Sequence, residues 1–203
     1  MTTPRDLMIT AIDVAPGRPV EQGELSLALA GAELIDLLAD GAVTLEGERI
    51  VPGQRVVTGD RLLDQATASI AREGPYESVG DWLWRRGRGL AAEYSAALEA
   101  DGQLVRQRRG RLPFRAGRLV VADSLDRRRA ADRWASGEPV LATLGAAVGL
   151  DGDGEGVEGS PSAGDDAVDT VLAAVDDASV ELAAERQRRS IEQDAFDNIW
   201  RGE

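Results

Sequence analysis

Between Gly23 and Gly41 nearly every position is apolar. The stretch "GELSLALAGAELIDLLADG" sets Leu25, Ala28, Leu29, Ala32 and Ile35 on one helical stripe, and Leu27, Leu34, Leu37 and Leu38 widen it around the circumference. This predicts a central, mostly buried helix closed at Gly41. Upstream, Leu7 to Ile12 reads as a first helix or buried segment. Downstream, "AVTLEGERIV" and "QRVVTG" alternate in short runs between Gly and Pro, the pattern of a small β-hairpin or β-arm. "TGDRLLDQATASIAREGP" predicts a helix with Asp60 as N-cap, Asp64 in the first turn, a stripe of Leu62, Leu63, Ala66 and Ile70, and a stop at Gly74-Pro75. "SVGDWLWRR" follows as a helix of two to three turns. Its two tryptophans stand about 200° apart around the axis, so only one reaches the core. Trp82 is assigned to the inside and Trp84 to the boundary beside the arginines. "LAAEYSAALEADG" gives a further helix through Leu90, Tyr94, Ala97 and Leu98, ended by Gly102.

From Gln103 the period changes. "QLVRQRRGRLPFRAGRLVVAD" reads as two strands around a turn. "SLDRRRAADRWA" is a helix capped by Ser124, and "EPVLATLGAAVGL" an apolar helix. Residues 151–166, "DGDGEGVEGSPSAGDD", have the composition of a flexible acidic loop. The remainder, Asp165 to Ile199, predicts one or two amphipathic helices with Leu172, Val175, Val180, Leu182, Ile191, Phe196 and Ile199 inward. The sum is a mainly α fold with a β-arm and a hairpin, one domain over residues 1–203, without a fixed-period repeat.

Composition narrows the chemistry. There is no cysteine and no histidine, and all 23 basic residues are arginine. Disulfides, thiolate nucleophiles, Cys/His zinc sites and imidazole bases are thereby excluded. Residues Asp151, Asp153, Glu155 and Gly156 match the first half of a calcium loop, but Ser162 stands where the bidentate Glu is required, so the segment is read as a solvated linker. Acidic pairs fall at helix starts and in loops, where they cap. No G-x-S-x-G, Walker A or G-x-G-x-x-G fingerprint occurs. The expectation is a non-enzymatic protein with no cofactor and no metal. The glycines of "RRGRG", ahead of a helix, are a hint of anion binding at its N-terminus.

Charge is arranged in blocks. The chain carries −13, yet Arg85 to Arg133 contains 13 arginines against six acidic residues. A basic block on an acidic chain bears on partners and orientation. No apolar run approaches the roughly 20 residues that span a bilayer, and the first residues lack the pattern of a secretory signal. A cytoplasmic protein with at most peripheral membrane contact is expected.

The segment "TGDRLLDQATASIAREGPYESVGDWL" resembles the Golgi phosphoprotein 3 family in its T-G-D-x-L-L-D helix start and in the Ile, Pro and Val-x-x-Trp that follow. "LAGAELIDLLADGAVTLE" and "LEADGQLVRQRRGRLPF" are similar to the family on either side, so the resemblance covers about residues 5 to 135 and is faint beyond Gly149. It implies a helical core ringed by amphipathic helices, with a protruding β-hairpin. It also implies a peripheral membrane adaptor that binds phosphatidylinositol 4-phosphate, engages the cytosolic tails of membrane proteins, and self-associates through its hairpin. Of the positions that contact lipid in the family, the tryptophan falls at Glu21, one arginine at Ala30, and two more at Arg88 and Ala91. Arg88 alone is retained, with Arg85 and Arg86 as substitutes. High Arg and Ala content without Lys hints at an actinobacterial source.

These readings converge on an anionic membrane surface. The expected lipid-binding residues are Trp84, Arg85, Arg86, Arg88, Arg108, Arg109, Arg111, Arg115 and Arg118, with Leu112 and Phe114 inserting from the hairpin tip. Each basic side chain near an anionic leaflet contributes about 1 kcal/mol, and each inserted apolar side chain about 1.5–3 kcal/mol. Together such weak signals can hold a protein on a membrane. The competing reading is a soluble interaction or oligomerisation module whose tip packs on a subunit or partner. Nucleic acid is disfavoured, because the arginine run lacks aromatics on which bases stack.

Overall fold

The computed structural model describes residues 2–14, 20–107, 118–150 and 164–201, with side chains of the last helix described to Gln193. In chain order the elements are α1 (Thr3–Val14), α2 (Gln22–Ala39), β1 (Val43–Glu46), β2 (Arg49–Pro52), α3 (Arg61–Ser69), α4 (Val79–Arg86), α5 (Leu90–Ala100), β3 (Leu104–Gln107), β4 (Arg118–Val121), α6 (Leu125–Ala135), α7 (Pro139–Ala147) and α8 (Asp166–Arg201). The fold is mainly α, as expected, with β1–β2 and β3–β4 as the antiparallel pairs among the described residues.

α2 is the axis of the molecule. It packs against α1, α3, α4, α5, α7 and α8, and its buried residues run from Leu25 through Ile35 to Leu37. That is why its sequence is apolar all round rather than on one face. α8 makes the most extensive contact, allowed by Gly31: a Cβ there would lie 2.4 Å from Val175 Cγ2. α4 meets α2 through Trp82, fully buried, whose Nε1 donates to the Ala30 carbonyl at 3.1 Å. A buried indole needs such a partner for its N–H.

Local signals act where the sequence puts them. Asp60 Oδ1 accepts from the amides of Leu62 and Leu63 and starts α3. Ser78 and Ser124 cap α4 and α6 in the same way. Four details differ from expectation. First, the β-arm lies within Val43–Pro52; the amides of Gly53 and Gln54 extend its register by donating to Ala42 and Gly41, and "QRVVTG" beyond them forms no strand. Second, α3 stops at Ser69, ahead of Gly74-Pro75, since Ile70 turns extended and buries its side chain.

Third, α8 is a single helix that runs past the body it packs on. Val171, Leu172, Val175 and Ala178 are buried, whereas Val180 and Ile191, expected inward, are 63% and 61% exposed: Val180 lies on the face away from α2, between buried Ser179 and packed Leu182, and Ile191 lies further along the helix. The side chains of Phe196 and Ile199 lie outside the described residues. Fourth, the acidic stretch ends sooner than expected. Asp165 caps α8 by accepting from the Ala167 amide, and Asp166 is already helical. Residues 151–163 lie outside the described residues.

β3 and β4 form the base of the expected hairpin, with Leu104 opposite Val121 and both buried. Its tip, residues 108–117, is outside the described residues, and with it Arg108, Arg109, Arg111, Leu112, Phe114 and Arg115.

Candidate anion-binding groove

Nine arginines of the Arg85–Arg133 block are described, and six of them are paired with carboxylates. Arg85 holds Glu77, Arg86 holds Glu33, Arg106 holds Glu99, Arg127 holds Asp13, Arg128 holds Asp123, and Arg133 bridges Asp6 and Glu138. Several of these partners lie on α1, α2 or in the α3–α4 link. Segregated in sequence, the two signs interleave in space, so the described arginines do not form the continuous basic flank that the block suggested.

Arg86 is the least exposed of these paired arginines. Its Nε and Nη2 donate to the two carboxylate oxygens of Glu33 at 2.7 and 2.8 Å, and Nη2 also reaches the Leu62 carbonyl. Glu33 is fully buried in the middle of α2, and the Tyr94 hydroxyl donates to its Oε1 at 2.9 Å. Burial pushes the Glu33 carboxyl above its usual range, with Arg86 and Tyr94 pulling it back. A charge in that position needs a fixed counter-charge, and Arg86, only 12% exposed, supplies it as a core ion-pair partner. Arg85 is likewise engaged. It grips Glu77 with two 2.7 Å bonds and lies over the Trp82 ring, 5.1 Å from its centroid.

Arg88 and Trp84 are brought together. Trp84 is 38% exposed, and both line a groove of about 280 Å³ with Gln22, Gly23, Ser26, Leu27, Gly89 and Leu182. Arg88 is exposed and makes no ion pair among the described residues. Three pieces of local chemistry build the groove. Ser26 Oγ donates to the Gln22 carbonyl and accepts from the Ala91 amide, joining the first turns of α2 and α5. Gly87 lets the α4–α5 link approach α2; a Cβ there would lie 2.6 Å from the Leu83 carbonyl oxygen and 3.2 Å from that of Ser26. Gly89 takes φ 73°, left-handed backbone, as it opens α5. The start of α2 and a free guanidinium thus border one concavity and favour a negative group; the first amides of α5 are already bonded to Gly87, Ser26 and Gly89. The "RRGRG" hint is therefore located, but the contributions of Gln22, Ser26 and Leu182 were not anticipated. Gly23 was their one sequence signal, a small residue at a helix start, against which Leu182 packs.

Of the other positions singled out, Arg118 is exposed at the start of β4, next to the hairpin tip. Glu21 precedes α2 beside the groove, and Ala30 is buried under Trp82. On the other side of Trp84 a larger groove, about 420 Å³, runs between α4 and α8 with Glu48, Asp177 and Glu181 on its walls. No group of three or more carboxylates among the described residues is arranged to hold a metal ion. No described helix is long and apolar enough to cross a membrane.

The fold and groove define a class: a mainly helical domain around a buried central helix, with two small antiparallel strand pairs and a concave site beside Trp84. The chain belongs to the Golgi phosphoprotein 3 (GPP34) family, whose model matches residues 4–193. The match extends past the segment where the resemblance was legible and takes in α7 and most of α8. No curated protein matches the chain.

Proposed function

We propose that this protein is a non-enzymatic peripheral membrane adaptor that docks on anionic phospholipid through the Trp84–Arg88 groove, with the arginine-edged hairpin tip as a second contact. The observation that carries the reading is the free Arg88 guanidinium beside a half-exposed indole, in a concavity bordered by the starts of α2 and α5. An indole with one polar edge suits a membrane–water boundary, and a phosphate headgroup suits the guanidinium and the start of α2. Family membership supports a lipid or adaptor role of this kind. The preference is for a phosphate-bearing anionic headgroup of the phosphoinositide sort, held by Arg88 in place of the fuller set of contacts in the family. Arg118 leads into the tip, where Arg108, Arg109, Arg111 and Arg115 add attraction and Leu112 and Phe114 add insertion. Cytosolic tails of membrane proteins are the expected clients, and a cytoplasmic, membrane-associated location follows.

Flotation with liposomes of graded anionic content tests this. Binding should rise with acidic lipid and fall for Arg88→Glu by about thirtyfold, two basic residues' worth of attraction. Phe114→Asp should lower it independently. Indifference of binding to both variants rejects the proposal. It would favour a soluble interaction module, a reading supported by the exposed Val180 and Ile191 on α8.

A further inference from the structure

We propose that Arg186 is the second cationic residue of the Trp84–Arg88 groove, held in reserve by Glu21 and Glu24 and transferred to the phosphate of a bound headgroup. This rests on the groove being an anion site. α8 passes along the groove: Leu182 lines it and packs on Gly23, where a Cβ would lie 2.7 Å from Leu182 Cδ2. Arg186 stands one turn further along the same face of the helix. Its Nη1 lies 2.8 Å from Glu21 Oε2, and its Nη2 bonds Glu24 Oε1. Glu21 and Glu24 bracket Gln22 and Gly23, both groove-lining residues. Glu21, Glu24 and Arg186 therefore flank the groove next to residues that line it, and the Arg186 charge is spent on the two carboxylates.

A phosphate entering the groove meets one free cation, Arg88, and a second whose charge is spent on Glu21 and Glu24. Glu24, at 17% exposed, is the firmer partner; Arg186 and Glu21 are 38% and 63% exposed, and an ion pair in such surroundings contributes little net stability. Exchanging a carboxylate for phosphate therefore costs little, and a guanidinium suits phosphate geometry with two parallel bonds. Removing the carboxylates frees Arg186 for the ligand.

The test is a double-mutant cycle on the full chain, with vesicles carrying phosphatidic acid, which has a phosphomonoester headgroup, or phosphatidylglycerol, a diester. Glu21→Gln with Glu24→Gln should strengthen binding to phosphatidic acid by at least about fivefold, one basic residue's worth. Arg186→Gln should cost more affinity in that background than in the native chain, and Arg186→Lys should retain part of the native binding. Helicity measured by circular dichroism ensures that only folded variants are compared. If Arg186→Gln costs the same in both backgrounds, or the cycle is identical on the two lipids, Arg186 is a strut between α2 and α8 and the inference is overturned. Arg88→Ala reports separately on the groove: if it leaves binding unchanged, the functional reading fails first. Competition by inorganic phosphate that removes the Arg186 coupling supports a phosphate-specific site.

Discussion

In the Glu33–Arg86–Tyr94 cluster a single substitution strands a buried charge. Arg86→Met would leave a fully buried carboxylate without its counter-charge, a change that costs about 3–5 kcal/mol. Urea unfolding should show that loss at neutral pH. The sign of its pH dependence follows from burial. In the variant the folded-state pKa of Glu33 rises further above its unfolded value, so protonation favours the folded state. The deficit should therefore shrink as pH falls through the acid range and return as pH rises. Burial also raises the carboxyls of Asp6 and Asp36 in the native chain, so each favours folding at acid pH and loses that contribution as pH rises. A lone Glu inside the apolar run "GAELIDLL" was the visible sign of such a site. Its partner was not visible, because Arg86 lies 53 residues away in a basic run that reads as a surface.

At the scale of elements, the α2–α8 contact decides how much of the helical pattern becomes core. Gly31→Ala gains about 1 kcal/mol of helix propensity, but the new methyl group meets Val175, whose branched side chain is held to one rotamer in a helix. Overpacking of this kind costs about 1–3 kcal/mol, so net destabilisation is expected in thermal or urea unfolding. Val175→Ala in the same chain should relieve part of it, and the non-additivity measures the contact. The same packing explains why Trp82 was assigned correctly and Ile191 was not. Trp82 faces α2 from a short helix whose whole inner face is covered. Ile191 lies on α8 beyond the last body-facing contact, and periodicity shows only that a helix has an apolar side, not where its neighbours end.

For the whole molecule, the opposing quantities are a net charge of −13 and a few local cations. Repulsion of the body from an anionic bilayer acts over the Debye length, roughly 30 Å at 0.01 M salt and 10 Å at 0.1 M, while groove and tip act at contact. Added salt screens the long-range repulsion first. Association with phosphatidylglycerol vesicles should therefore pass through a maximum, rising between about 0.01 and 0.1 M and falling toward 1 M. Co-sedimentation across that range checks it, and a monotonic fall would show that attraction already dominates at long range. The sequence by itself determined the helices, their caps, the central position of α2 and the family resemblance, because these depend on residues within a few turns of each other. Only the tertiary structure decided which arginines are free. Coulombic pairing depends on distance through space, and the fold brings Glu33, Asp13 and Asp6 onto arginines from 53 to 127 residues away. It leaves Arg88 unengaged in the groove that α2, α4, α5 and α8 enclose.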